Sequence, residues 1–343
     1  MMKKFFILNA IKNMDKKALI ETAKKSAKEA GKFWPFVLLD IIWCGLKYGT
    51  GYIEYWVFKF YKIPKKMRKT YYSRGNNNKI VRALNNPEYN EYFDSKILFN
   101  KTFAKYVKRE WLETENLSFE DFQAFCSRHD YFVAKPNKDT CGKGVEKYIV
   151  SEIEDIKSVY DHIKSGDFGL IEEGIHQHPD INAIYPGAVN TIRFLMIKKD
   201  GVNHIVFVAI RMGHNGMCVD NFDNGGMSAQ INEKTGEIYT VAVDGENKIY
   251  THHPYTGTPI TGAFIPMFDE CLKMVDDACN IVPEIRYVGW DVTVSDKGPQ
   301  LIEGNRYPGC LLYPEFNEKQ EGYLPIIKEI LGDEWEKVGI KGL

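Results

Sequence analysis

The run GWDVTVSDKGPQLIEGN, residues 289–305, places two apolar, β-branched segments on either side of Ser295-Asp296-Lys297-Gly298. A short polar turn that closes on glycine between such segments reads as a β-hairpin. Asp291 and Glu303 are equidistant from Lys297. Arms paired about that centre set the two carboxylates face to face, with Cβ atoms about 5 Å apart, and the two-residue period of a strand puts Asn305 on the side of Glu303. Two ionised carboxylates at that range repel, so either one holds a proton or a cation sits between them. An Asp, a Glu and an amide oxygen form a hard, all-oxygen set suited to Mg²⁺ or Mn²⁺. The plain alternative is an ordinary solvated hairpin.

Outside this hairpin, the 343 residues and 44% hydrophobic content predict a soluble globular chain of two or three subdomains. Seven cysteines, odd in number and never spaced C-x-x-C, argue against a disulfide framework and a structural zinc site, and fit a reducing cytoplasm. The start, MMKKFFILNAIKNMDKK, lacks a small-residue cleavage pattern and is not read as a signal peptide. Net charge is −1, yet residues 1–70 hold 16 Lys or Arg against 5 Asp or Glu. That asymmetry suits either a polyanionic neighbour or a solvated helical face. The apolar stretch from Phe33 to Trp43 is interrupted by Asp40 and is too short to span a bilayer, leaving a buried or interfacial helix and peripheral membrane contact through the segment ending in YKIPKKMRK. No nucleic-acid partner is expected.

Residues 1–93 read as helices, with breaks at Gly31, Gly49-Thr50-Gly51, Pro64 and the polar run Ser73 to Asn78. From Tyr131 onward short β-rich runs take over: YFVAKP, EKYIVS, GLIEEGI, NTIRFLMIK, NHIVFVAIRM and EIYTVAV, with helices expected near 153–165 and 266–281. The expectation is an α+β chain: a helical region, then mainly antiparallel sheet because the turns are of hairpin length. Three spans follow, residues 1–93, 94–175 and 176–343.

The loop Ala134-Lys135-Pro136-Asn137-Lys138-Asp139-Thr140-Cys141-Gly142-Lys143-Gly144-Val145 offers backbone N–H groups and a strand-end lysine to phosphate oxygens. It fails the Walker A pattern at Asn137 and Gly144, and the dinucleotide fingerprint at Lys147, so a functionless glycine turn stays open. The strand with Glu172 and Glu173 can offer backbone groups and a carboxylate to an adenine or ribose. Arg193 and Arg211 are symmetric about Val202, and their pairing would call for an anion between them, a polyphosphate or a substrate carboxylate. The pair His176 and His178 is read as a turn rather than a zinc pair, and the stretch THHPYTGTPITGAF as an acceptor-side loop.

These segments, in this order, resemble the ATP-grasp superfamily, and within it the sugar-transfer-associated ATP-grasp proteins of polysaccharide gene clusters. The resemblance covers about residues 52–325. It implies the ATP-grasp fold, two α+β subdomains clasping ATP, with Lys135 on phosphate and Gly142, Lys143 and Gly144 in the nucleotide loop. Lys96 is similar to the family's earlier nucleotide-binding lysine, although Ser95 stands where an Asp is usual. By the same resemblance Glu172, Glu173 and Ile175 hold the adenine end, Asp180 partners the ribose, Arg193 and Arg211 face phosphate and substrate, and Asp291, Glu303 and Asn305 bind Mg²⁺. The helical N-terminal region replaces the family's usual leading α/β domain. The implied chemistry joins a carboxylate to an amine through an acyl phosphate, acting on a saccharide precursor; the alternatives are a phosphotransferase or a non-catalytic nucleotide-binding protein.

Overall fold

The computed structural model describes residues 15–138, 144–214, 216, 220, 222, 225–309, 321–341 and 343. It divides into two compact units, residues 1–80 with 309–343, and residues 81–308.

The first unit is helical. Helix α1 (Lys16–Ala30) opens on Asp15, whose carboxylate accepts the N–H groups of Lys17 and Ala18 at 2.9 and 3.0 Å, and stops at Gly31. Helix α2 (Trp34–Tyr48) has Pro35 in its first turn and stops at Gly49. The short helices α3 (Tyr52–Val57) and α4 (Lys65–Arg68) follow. Buried Arg68 ties them to α2, pairing with Asp40 at 2.8 Å, and Tyr55 donates its hydroxyl to the same carboxylate at 2.7 Å. Asp40 therefore turns inward. Of the polar run Ser73 to Asn78, expected to break the helix, Ser73 lies in the break that follows α4, and Arg74 to Asn78 form the first turns of α5 (Arg74–Leu84). The run's polar groups find internal partners: Ser73 Oγ donates to Tyr48 O at 2.7 Å, and Asn77 Oδ1 accepts the Tyr72 hydroxyl at 2.5 Å. Two C-terminal helices, Leu324–Leu331 and Trp335–Val338, complete this unit.

The second unit begins with two short helices, α6 (Glu91–Asp94) and α7 (Lys96–Thr102), and then strand β1 (Trp111–Glu113). Helix α8 (Phe119–Cys126), β2 (Tyr131–Lys135), β3 (Glu146–Ile149), α9 (Ile156–Ser165) and β4 (Leu170–Glu173) build a four-stranded sheet in the order β1-β4-β2-β3, every pair antiparallel. Phe122 and Phe125 of α8 and Ile163 of α9 close over Phe132, Ala134 and Ile171 of the sheet.

Helix α10 (Pro179–Ile184) leads to β5 (Thr191–Lys199), β6 (Val202–Met212), β7 (Met227–Ile231), β8 (Ala242–Asp244), β9 (Ile249–Tyr250), α11 (Phe268–Ala278), β10 (Tyr287–Ser295) and β11 (Gly298–Asn305). The strands form one antiparallel sheet in the order β11-β10-β5-β6-β7-β8-β9. Ile192, Phe194, Met196, Val208, Ile210, Trp290, Val292 and Val294 share a core with Phe99 of α7, Phe103 just past its end and Val275 of α11. The alternate residues of these strands point the other way. That second face carries Arg193, Arg211, Asp291, Glu303 and Asn305.

Two expectations are corrected here. Only the end of EIYTVAV is strand, because the hydroxyl of Thr240 takes the N–H of Gln230 at 2.9 Å and interrupts the ladder. Arg193 and Arg211 do not oppose each other: Arg193 stands opposite Ala209 and Arg211 opposite Thr191. The turn is the two-residue Asp200-Gly201, and a bulge at Val206 shifts the register, so the guanidiniums end as diagonal neighbours on one face.

Candidate nucleotide and metal site

The hairpin of β10 and β11 sets Asp291 opposite Glu303, although its turn is not centred on Lys297. Ser295 pairs with Gly298, and Gly298 takes φ +85, so Asp296 and Lys297 form a two-residue turn closed by a left-handed glycine. That register alone would bring Ile302 opposite Asp291. A bulge at Ile302 moves Glu303 into place, with Val292 still facing Leu301.

Across the sheet the row continues from Asp291 to Arg193 on β5, its direct cross-strand partner. Arg193 holds the fully buried Asp291 carboxylate through Nε and through a second nitrogen at 2.8 Å. Arg211 reaches the same carboxylate at 3.1 Å and Asp220 at 3.4 Å. Asp291 is itself the anion between the two arginines. Burial pushes its carboxyl upward, but the two guanidiniums outweigh this and hold it below the usual range. Burial and the neighbouring Asp291 push Glu303 the other way, above its ordinary value. Burial also raises Asp220, against Arg211, and burial opposes the charge of Arg211 less than Asp220, Asp291 and Glu303 favour it.

Asn305 lies over both acids, its amide nitrogen 3.2 Å from Asp291 and 3.1 Å from Glu303. A half-turn of that amide presents its oxygen instead. One ionised carboxylate, one carboxyl that resists ionising beside it, and an adjacent amide form a donor set that a hard divalent cation satisfies. Among the described residues no group of three or more His, Cys, Asp or Glu could hold a metal ion, so this set of two acids and one amide rests on oxygen chemistry rather than on acid count.

The other half of the candidate site is built on the four-stranded sheet. Lys135 ends β2, and its ammonium contacts Glu172 of β4. Glu172 is 2% exposed and also meets Arg109 at 3.0 Å and the Asn100 amide at 2.9 Å. Although burial works against its charge, Arg109 and Lys135 hold its carboxyl far below the usual range. Arg109 then donates to the carbonyls of Leu301 and Ile302, at 2.6 and 3.2 Å. One buried guanidinium thus joins the partner of Lys135 to the bulge that positions Glu303. Lys297 makes a second link, contacting Glu173, which also accepts the Glu110 N–H at 2.7 Å. Burial opposes the charge of Glu173, and Lys297 with that N–H lowers its pKa on balance.

The remaining expected residues are placed as follows. Lys96 starts α7, and its backbone N–H donates to Asn137 O at 3.0 Å, next to the strand end that carries Lys135. Ser95 caps that helix, its hydroxyl accepting the Leu98 N–H at 3.2 Å. Gly144 has φ +66, while Gly142 and Lys143 lie outside the described residues. The carbonyl of Ile175 accepts the Tyr131 hydroxyl at 2.7 Å, and at Gly174 a Cβ would fall 2.3 Å from that ring. Asp180 stands apart, an exposed residue at the start of α10. Cys141, Cys218 and Cys310 lie outside the described residues, and the other four cysteines are free and buried. His176 is exposed, 3.7 Å from Asp130, and His178 accepts the Asp180 N–H at 3.3 Å.

Sequence reasoning missed Arg109, Asn100 and the contact of Lys297. Arg109 sits in the unremarkable basic run YVKREW, and its partners are 63 and 192 residues away, so no local pattern marks it.

Lys135→Ala is expected to weaken ATP binding roughly 10–100-fold by calorimetry, the equivalent of one charge-assisted contact. Glu172 keeps Arg109 and Asn100, so the fold should persist.

Two antiparallel sheets, one ending in a lysine and a glycine loop and the other carrying an acidic hairpin, give this α+β chain the ATP-grasp fold. The chain belongs to the sugar-transfer associated ATP-grasp family, whose model matches residues 66–320. No curated protein matches it. Among solved structures it is similar to the ATP-grasp ligase PsnB complexed with minimal precursor, at 11% identity and TM-score 0.44 over 72% of this chain and 63% of that one. It is similar also to D-alanyl-alanine synthetase A from Vibrio cholerae, at 11% identity and TM-score 0.42 over 74% and 65%. A third is the D-alanine–D-alanine ligase from Bacillus anthracis complexed with ATP, at 14% identity and TM-score 0.39 over 72% and 68%. The chain spans less than two thirds of the length of PsnB and of the Vibrio cholerae synthetase.

Proposed function

We propose that the protein is an ATP- and Mg²⁺-dependent ligase that joins a carboxylate to an amine through an acyl phosphate. The observation that carries this reading is the pair of fully buried Asp291 and half-buried Glu303 under Asn305, flanked by two arginines on one sheet face. Mg²⁺, or Mn²⁺ in its place, would be held by Asp291, Glu303 and Asn305, and when bound spreads negative charge from the phosphoryl group being transferred. Lys135, Lys96 and the loop with Gly142, Lys143 and Gly144 would hold the triphosphate. Glu172, Glu173, Ile175 and Asp180 would serve the adenosine end, with Glu172 also orienting Lys135 through their contact. A substrate carboxylate oxygen attacks the terminal phosphorus and ADP leaves. The amine then attacks the acyl carbon and phosphate leaves, its proton passing to solvent or base. Arg193 or Arg211 would neutralise the acyl phosphate.

The saccharide context follows from the family's description as sugar-transfer associated. The acceptor would be an amino acid or amine, and the carboxylate a uronic or other sugar acid on a polysaccharide precursor. We place the reaction in the cytoplasm, with the basic N-terminal region in peripheral contact with the inner face of the membrane. Among the described residues no helix is long and apolar enough to cross a membrane.

The test is ADP release with paired panels of sugar acids and amino acids. ADP and amide formed together support the ligase. A phosphorylated saccharide without amide assigns a phosphotransferase, and ATP binding without release in any pairing assigns a non-catalytic nucleotide-binding protein.

A further inference from the structure

Helix α2 presents an apolar face that no described residue of its own unit covers. Phe36, Leu39 and Leu46 are 69%, 63% and 64% exposed, and Ile42 and the partly buried Trp43 lie between them. Positions 36, 39, 43 and 46 follow the three- and four-residue spacing of one helix face. Such an uninterrupted run of large apolar side chains in water marks an interaction surface.

The polar residues around it are basic. Asp40 is the only acid of α2, and it is turned inward onto Arg68 and Tyr55. Lys47 and Lys65 stand over the Trp43 ring at 4.5 and 5.4 Å, and Lys24 stands over Trp34 at 5.7 Å. Further exposed lysines, Lys32 and Lys66, occupy the flanking segments, while Lys62 is paired with Glu29 at 2.5 Å. At 15 residues the helix is about 22 Å long, short of the roughly 30 Å of a hydrocarbon core, and this excludes a crossing. An apolar stripe with tryptophan at its border and lysines beside it has the composition of a helix lying in the plane of a lipid interface. A second copy of the chain fits less well, because a two-fold contact through this face would set the lysine rows of both copies against each other.

We infer that the exposed face of α2 docks on an anionic lipid surface, with Phe36, Leu39, Ile42 and Leu46 entering the headgroup–acyl boundary and Lys47 and Lys65 meeting lipid phosphates. This rests on the membrane contact proposed above and is independent of the ligase chemistry, so it is read by binding alone.

The experiment is co-sedimentation of the full chain with phosphatidylcholine vesicles, with and without phosphatidylglycerol. The expected result is sedimentation with the anionic vesicles that declines as salt rises. Phe36→Ser/Leu46→Ser should weaken it by at least about tenfold, given the apolar area withdrawn. Lys47→Glu/Lys65→Glu should remove the preference for anionic lipid. All four positions are solvent-facing, and an unchanged melting temperature verifies the fold. Failure of the full chain to sediment with either vesicle overturns the proposal. So does a dimer in solution that the Phe36→Ser/Leu46→Ser variant dissociates, which would assign the face to a second copy. Neither outcome bears on ADP release.

Discussion

Glu303→Ala is expected to lower Mg²⁺-dependent ADP release on the order of 10²–10³-fold while the melting temperature stays the same or rises slightly. The first effect follows from losing one of three oxygen donors around the cation, whose charge stabilisation in phosphoryl transfer is worth several kcal/mol. The second follows from electrostatics within the hairpin. Burial and Asp291 oppose the ionised form of Glu303 more than Arg211 and Arg193 favour it, so alanine forfeits no net favourable charge interaction. Asp291 does not separate the two effects, because its removal would strand the buried guanidiniums of Arg193 and Arg211. Steady-state ADP release and a thermal melt of the Glu303 variant check both halves. Normal turnover would remove Glu303 from the metal site.

Glu172→Gln is expected to act in the opposite sense, destabilising the protein by about 3–5 kcal/mol, the usual penalty for leaving a buried charge without its counterion. Arg109, 4% exposed, would keep its carbonyl partners on β11 and lose the carboxylate, and Lys135 would lose its contact as well. Because Arg109 and Glu172 share one network, the double variant Arg109→Met/Glu172→Met should cost less than the two single changes added together. The same carboxylate sets an acid limit. Its folded pKa is depressed, so its contribution is complete above the ordinary value of about 4.5 and declines as pH falls from there toward the lower folded value. Acid melts of wild type and Glu172→Gln should therefore converge below that pH, whereas parallel curves would contradict the pairing.

The acidic hairpin was legible because two carboxylates at mirrored positions on β-branched arms leave few other registers. The path to that register was not. A two-residue turn and a bulge at Ile302 replace the symmetric turn, and both depend on Gly298 at positive φ and on Arg109 holding the bulge carbonyls. For Arg193 and Arg211 the same mirror argument failed by two residues, because the turn is centred between Asp200 and Gly201 rather than on Val202, and the bulge at Val206 recovers only one of the three residues this displaces. Ser73 to Asn78 looked like a helix break because its polar side chains compete with the backbone when exposed. Here Tyr48 and Tyr72 take those groups instead. The links from Lys135 to the acidic hairpin were illegible, since Glu172, Arg109 and Leu301 are brought together by the meeting of two sheets.

The most direct measurement is the anomalous diffraction of crystals grown with Mn²⁺ and a non-hydrolysable ATP analogue. A peak at roughly 2.0–2.2 Å from oxygens of both Asp291 and Glu303, beside the analogue's terminal phosphates, is the predicted result. Analogue bound with the cation elsewhere, or with those two carboxylates still closed on their arginine and asparagine neighbours and no cation between them, would contradict it.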